Sequence, residues 1–192
     1  ERKWSKEDSM NADHYEIEIA GIKRSLPLFE VAPGIRIAIL NILGDTELVE
    51  ACASEIAKKL EGIEFDVLFT AESKSIPFAH ALSVRTGKPY VVCRKNYKSY
   101  MGKALESVSN SITTQQDQRL ILDEKDIPLI KGKKVVIVDD VISTGSTLHA
   151  LTTLLEMAGS KPDYIIASIL TEGAEDDWPN VICLGHLPVF KD

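Results

Sequence analysis

Cysteine is scarce in this chain: three residues, Cys52, Cys93 and Cys183, in 192. They are far apart, sit in apolar surroundings and form no Cys-x-x-Cys pair. That excludes a disulfide framework and a thiolate metal site. It leaves three small buried hydrophobes in a protein kept in a reducing compartment, so a cytoplasmic location is expected. The four histidines have no ligand spacing either, and no metal centre built by side chains alone is expected. Long apolar runs are missing: none approaches the roughly 18 residues that a membrane-crossing helix needs. Residues 1–13 are polar and read as a flexible N-terminus without a secretory signal core. Positive charge is in short supply, with 22 Lys and Arg against 29 Asp and Glu and a net charge of −7. A nucleic-acid binder normally leaves a basic footprint, so neither nucleic acid nor membrane is expected as a partner. Neither Gly-x-x-x-x-Gly-Lys-Ser/Thr nor Gly-x-Gly-x-x-Gly occurs. P-loop nucleotide hydrolysis and dinucleotide binding lose their main support with them.

What is present is an ordinary globular composition, 44% hydrophobic and 27% charged, long enough for one domain with a full core. Residues 14–20 alternate, Tyr15, Ile17 and Ile19 against Glu16 and Glu18, as a half-buried strand does. Residues 26–34, punctuated by Pro27, Pro33 and Gly34, read as a loop carrying apolar groups. Residues 35–42 form a second short strand. Asp45 then caps a helix in which Leu48, Val49, Cys52, Ile56 and Leu60 recur at helical spacing. Strands are predicted over 67–70, 90–93, 120–122, 135–138, 164–170 and 181–184. Helices are predicted over 76–86, stopped by Gly87 and Pro89, and over 146–158, ended by Gly159. Residues 95–117 are long, polar and unpatterned. Alternating strands and helices imply a doubly wound, mostly parallel α/β sheet with helices on both faces. The core spans about 43–170. The two ends, 14–42 and 171–192, fall outside the pattern and can fold together as a small cap.

The most informative stretch is 135–147. Four β-branched residues, Val135, Val136, Ile137 and Val138, run into two carboxylates, Asp139 and Asp140. The loop Ser143, Thr144, Gly145, Ser146, Thr147 follows and opens a helix. Backbone N–H groups and hydroxyls at a helix N-terminus are an anion site. Carboxylates at the carboxyl end of a strand lie where open α/β sheets bind ligands. They can accept hydrogen bonds from ribose hydroxyls or help hold a cation, so a sugar phosphate uses every part of the run. A second anion-shaped loop, Glu72, Ser73, Lys74 and Ser75, joins a strand to a helix on the same side of the sheet. Arg94 and Lys95 end the next strand. They supply the local positive charge that an acidic protein needs to hold a strongly anionic ligand. Residues 96–116, with Lys98 and Glu106, form an unusually long loop, and such loops are often lids.

The 135–147 run resembles the phosphoribosyl-pyrophosphate (PRPP) binding motif of type I phosphoribosyltransferases: apolar strand, two acidic residues, Thr-Gly-x-Thr loop. The resemblance extends over most of the chain and implies a single domain, 14–192, with a hood built from both chain ends. It implies transfer of a phosphoribosyl group from PRPP to a purine base, releasing pyrophosphate and a nucleoside monophosphate. Adenine is favoured. Xanthine or hypoxanthine–guanine specificity is one alternative, and a non-catalytic PRPP-binding regulator another. By the same resemblance Ser143, Thr144, Gly145, Ser146 and Thr147 grip the 5′-phosphate. Asp139, Asp140, Lys74 and Glu106 are the catalytic candidates. Glu72, Ser73, Lys74, Ser75, Arg94, Lys95 and Lys98 take the pyrophosphate. The loop carries Glu-Ser-Lys-Ser where adenine enzymes carry Glu-Ser-Arg-Gly. Phe29, Ile35, Arg36 and Leu170 line the base pocket, since Phe29 and Pro33-Gly34 resemble the Phe-Pro-x-Pro-Gly hood of adenine enzymes. Ala38 stands where their hood arginine is expected. Mg²⁺ is the implied cofactor, held mainly by PRPP with Asp139 reaching it through water, and a homodimer is the implied assembly.

Overall fold

The structure, a computed structural model, describes residues 14–109 and 118–191. The segment 1–13 and residues 110–117, which take in 110–116 of the expected lid, lie outside them. The first strands are antiparallel. β1 (His14–Ile19) turns at Ala20-Gly21 into β2 (Ile22–Ala32), and β2 turns at Pro33-Gly34 into β3 (Ile35–Ala38). The expected loop over 26–34 is therefore mostly strand. Pro27 pairs with His14, the first described residue of β1, and on its other side its carbonyl still accepts from Ile39 N–H at 3.0 Å.

α1 (Thr46–Lys59) starts at Asp45, whose carboxylate accepts the Leu48 N–H at 3.1 Å, as an N-cap does. β4 (Val67–Ala71) is buried along its whole length, as a strand covered on both faces must be. α2 (Ile76–Thr86) ends on Gly87 at φ +67°, a left-handed stop suited to glycine. β5 (Tyr90–Cys93) follows. Residues 95–117, read from the sequence as unpatterned, instead contain a helical turn at Ser99–Met101 and β6 (Leu105–Ser109). β6 pairs antiparallel with β7 (Gln118–Leu122). The pattern is hidden because Ser107 is buried and Val108 exposed.

After the short α3 (Ile127–Ile130) comes β8 (Val135–Ile142). It runs past the predicted end, so Asp139 and Asp140 lie inside the strand. α4 (Ser146–Ala158) leads to β9 (Ile165–Glu172), β10 (Val181–Ile182), β11 (His186–Leu187) and β12 (Val189–Lys191). The last two strands had no sequence signal at two and three residues each. β12 pairs with β3, which completes a four-stranded sheet from both chain ends. Tyr15 packs edge-on against Phe190 at 5.3 Å between ring centres. Arg24 of β2 forks onto Asp45 at 2.7 and 2.8 Å and ties this hood to the start of α1.

The core sheet runs β10-β9-β8-β4-β5, all parallel, with β11 also along β9. One face packs Leu68, Val136, Val138 and Ala167 against α1 and α2. The other packs Val67, Phe69, Val135 and Ile137 against α4 and the β6–β7 hairpin. This is the expected doubly wound arrangement with a hood. From β4 the chain crosses through α2 to β5 on one side. From β8 it crosses through α4 to β9 on the other. Winding reverses between β4 and β8, and the crevice outside their carboxyl ends is the switch point where such sheets bind ligands. Among the described residues no helix is long and apolar enough to cross a membrane.

Candidate functional site

Two loops meet at that switch point. Thr70, the fourth residue of β4, donates its hydroxyl to the Val138 carbonyl at 2.7 Å, one residue before the acidic pair. Ser168 of β9 donates to the Asp140 carbonyl at 3.2 Å from the other side. The backbone of the pair is thus held from both neighbouring strands. Ser75, buried at the start of α2, sits against the two side chains. Its hydroxyl donates to Asp139 Oδ1 at 2.7 Å, lies 3.1 Å from Asp140 Oδ1 and accepts the Asp140 N–H at 3.1 Å. The same N–H reaches Asp139 Oδ1 at 2.9 Å. Ser75 has φ −78° and ψ −10°, a right-handed conformation open to any L-residue, so the serine in place of the family's glycine strains nothing.

Burial pushes the Asp139 carboxyl well above the usual carboxylate range, and the adjacent Asp140 charge adds to the push. The Ser75 hydrogen bond opposes it. An uncharged environment disfavours the ionised form, and a like charge alongside does the same. The site is therefore poised to gain from a cation or a cationic ribose.

Ser143, Thr144 and Gly145 connect β8 to α4, and Ser146 and Thr147 open the helix. Gly145 holds φ +76° at the helix start. The Ser146 N–H reaches Thr144 Oγ1 at 3.4 Å, and a helix N-terminus of this kind suits an anion. Thr144 Oγ1 lies 3.2 Å from Ser146 Oγ. A Cβ on Gly145 would stand 2.7 Å from the Trp178 ring. Trp178, whose Nε1–H donates to the Glu172 carbonyl at 3.4 Å, therefore forms a wall of this loop. It has no place among the sequence-based expectations. The available signal was one of only two tryptophans in the chain, standing in a polar segment.

In the other loop the Glu72–Ser73 peptide is cis. Ser73 and Lys74 are exposed at its tip. Arg94 pairs with Glu72 at 2.5 Å, and the Lys95 N–H donates to the same carboxylate at 2.6 Å. Burial alone would raise Glu72, but these two contacts hold it below the usual range. Beside Glu72 and Arg94 opens a cavity of about 560 Å³, bounded further by Tyr100, Asp123 and Asp126. Lys98 is exposed beyond it. Glu106 lies on the β6–β7 hairpin with its carboxylate held by Arg119, one contact at 2.8 Å. No hydrogen bond or ion pair joins it to Asp139 or Asp140 among the described residues.

Phe29, Ile35 and Arg36 all lie on the β2–β3 hairpin of the hood, but Phe29 pairs with Ile37 and Arg36 with Glu30, so Arg36 takes the opposite face from Phe29. Phe29 is 46% exposed. Leu170, by contrast, is fully buried in the core cluster. At the end of β9, Glu172 is nearly buried and its carboxyl is raised by that burial, with His186 pulling the other way. His186 Nδ1 lies 3.1 Å from Thr171 Oγ1 and Nε2 lies 3.0 Å from the Gly173 carbonyl.

Known proteins resemble this chain in sequence and fold. Residues 38–179 match the family model of the phosphoribosyl transferase domain. An adenine phosphoribosyltransferase of Butyrivibrio fibrisolvens is 33% identical over 144 residues, 74% of this chain and 77% of its own length. A hypoxanthine/guanine phosphoribosyltransferase of Methanosarcina acetivorans is 36% identical over 130 residues, 68% and 64% of the two chains. The crystal structure of adenine phosphoribosyltransferase from Thermoanaerobacter pseudethanolicus superposes with a TM-score of 0.63 at 26% identity, covering 94% of this chain and 98% of that one. With its acidic pair and anion loop at the switch point of a hooded α/β sheet, the chain belongs to the phosphoribosyltransferase family.

Proposed function

We propose that this protein transfers the phosphoribosyl group of PRPP to a purine base, adenine first, releasing pyrophosphate and a nucleoside 5′-monophosphate. The observation that carries this is the meeting of the Asp139–Asp140 pair, the 143–147 loop and the 72–75 loop at one crevice. A PRPP molecule needs those three kinds of contact at once. Breaking the anomeric C–O bond leaves positive charge on the ribose and negative charge on pyrophosphate. The 143–147 loop holds the 5′-phosphate through N–H groups and hydroxyls. Asp139 and Asp140 accept hydrogen bonds from the 2′- and 3′-hydroxyls, and their charge favours the cationic ribose in the transition state. Ser73, Lys74 and the loop N–H groups, with Arg94, Lys95 and Lys98 behind them, receive the pyrophosphate. The turn at Ser99–Met101, which borders the cavity beside Glu72 and Arg94, screens the pyrophosphate side from water.

Among the described residues no three or more His, Cys, Asp or Glu side chains converge as a metal cage. The Asp139 and Asp140 carboxylates are oxygen donors of the kind that suits Mg²⁺, which keeps several waters and takes oxygens from phosphate groups. When bound with PRPP it neutralises pyrophosphate charge, and Asp139 is the carboxylate placed to reach it through water. The base sits under the hood near Phe29, Ile35 and Arg36, with Leu170 supporting the sheet beneath. Adenine rests on the adenine-specific relatives. The oxopurine reading is kept because the hypoxanthine/guanine enzyme of M. acetivorans is as similar in sequence. A homodimer in the cytoplasm completes the reading, supported by the resemblance and by three cysteines without disulfides.

The test mixes purified protein, PRPP and Mg²⁺ with each purine base and follows nucleotide formation. Turnover with adenine, lost in Asp139→Asn/Asp140→Asn, is expected. Turnover only with an oxopurine moves the substrate. PRPP binding without turnover leaves a sensor. Light scattering on the same sample reads the assembly, and a mass near one chain of 21.2 kDa removes the dimer.

A further inference from the structure

Ser75 stands where the loop sequence of related adenine enzymes has glycine, and its buried hydroxyl is spent on the acidic pair rather than turned to solvent. A hydroxyl has one proton and two lone pairs. Here the proton goes to Asp139 Oδ1 and a lone pair takes the Asp140 N–H. Ser75 uses only the Oδ1 atoms of the pair, and these face the 72–75 loop.

We propose that Ser75 is a positioning residue that locks the Asp139 and Asp140 side chains for the ribose hydroxyls and joins that subsite to the pyrophosphate loop. This rests on the phosphoribosyl-transfer reading above and deepens it. The joint is specific to this chain's serine: glycine offers no hydroxyl, and the right-handed backbone at Ser75 does not call for one residue over the other. The lock has a direct consequence for recognition. Ser75 Oγ stands between the two Oδ1 atoms, at 2.7 and 3.1 Å, and ties both side chains to the 72–75 loop. With Ser75 between them they present a fixed pair of acceptors, which lowers the ordering cost of binding a diol. The contact exists before the ligand arrives and is shared by the ground state and the transition state. It therefore acts on PRPP affinity more than on turnover.

Ser75→Gly and Ser75→Ala test this against Ser75→Thr, which keeps the hydroxyl. Removing the hydroxyl is expected to raise KM for PRPP about tenfold, the loss of one hydrogen bond to a charged group. KM for the base stays put and kcat changes by less than about threefold. Threonine is expected to restore most of the PRPP affinity. An unfolding cycle on ligand-free protein reads the lock without reference to activity. Ser75→Ala is expected to lower the urea midpoint in the wild-type background and clearly less in an Asp139→Ala background. Additive shifts overturn the lock. A coupled pair with unchanged KM for PRPP, or a threonine variant as impaired as alanine, makes the bond merely structural and overturns the positioning role. If the wild-type protein neither turns over PRPP with any purine base nor binds it, the phosphoribosyl reading falls and the positioning role falls with it, while the cycle still reports whether the lock exists.

Discussion

Asp139→Asn is expected to make the ligand-free protein more stable at pH 8 while removing its activity. Asparagine keeps the shape of aspartate and its Oδ1, so the Ser75 hydroxyl and the Asp140 N–H retain their acceptor. What disappears is a charge that the fold holds out of water beside another charge. Burial and Asp140 push the Asp139 carboxyl from an ordinary 3.8 to about 7. The folded state then holds a proton that the unfolded chain has already lost. Stability contributed by that protonated form is complete below about pH 4 and drains away as pH rises to about 7. Taken entirely on Asp139, the drain is about 4 kcal/mol, at about 1.4 kcal/mol per pKa unit. Relaxation around the buried carboxyl takes up part of this, so about 2 kcal/mol is the working figure. For a chain of this size that is a rise of about 4–8 °C in Tm for the variant at pH 8. The gap should shrink toward zero near pH 4. Thermal unfolding of both proteins across pH 4–8, without ligand, measures it. A variant that is neutral or less stable at pH 8, or a gap independent of pH, refutes the reasoning. Loss of turnover in the same variant would place this residue among those where function costs stability.

Gly145→Ala forces a Cβ into the left-handed region and to within 2.7 Å of the Trp178 ring. It should cost about 1–2 kcal/mol in unfolding experiments and raise KM for PRPP. Trp178→Ala in the same chain should relieve the clash but not the backbone penalty. Trp178 itself should report ligand: in a Trp4→Phe background, PRPP is expected to change its fluorescence, and a silent ring would mean that the loop does not take the phosphate. Asp45→Ala removes the α1 cap and the acceptor of the Arg24 fork. The cap alone is worth about 1 kcal/mol, read as a lower urea midpoint. Leu151→Ala opens a cavity in the fully buried seam between α4 and the sheet. A loss of about 2–5 kcal/mol is expected, with KM for PRPP unchanged in the fraction that remains folded.

Much of the core was legible along the chain because its signals are local. Ile76–Thr86 ends at Gly87, as read from the sequence, because a left-handed residue is the natural end of a helix. Asp45 and the spacing Leu48, Cys52, Ile56 define α1 without help from elsewhere. The apolar runs 67–70 and 135–138 are strands because only the middle of a covered parallel sheet hides such runs on both faces. The Asp-Asp and Thr-Gly-Ser-Thr elements of 135–147 were visible for the same reason, since strand, acid pair and helix start are consecutive.

Other features depended on partners distant in sequence. β2 passes through Pro27 because β3 and the residue after it still take the proline's carbonyl, through Ile39 N–H. β6 buries Ser107 and exposes Val108 because α4 and β7 decide which face is inside. β11 and β12 are too short to show a period, and they exist only because β9 and β3 have open edges. The same holds for the site. That Ser75 would reach across 64 residues to Asp139, and that Trp178 would stand on Gly145, are products of winding reversal and chain return. Sequence by itself determined which elements form and which chemical groups end them, because hydrogen bonding and periodicity act over a few residues. Only the tertiary structure decided which of those groups meet, because a contact between distant residues is set by how the sheet is ordered and covered.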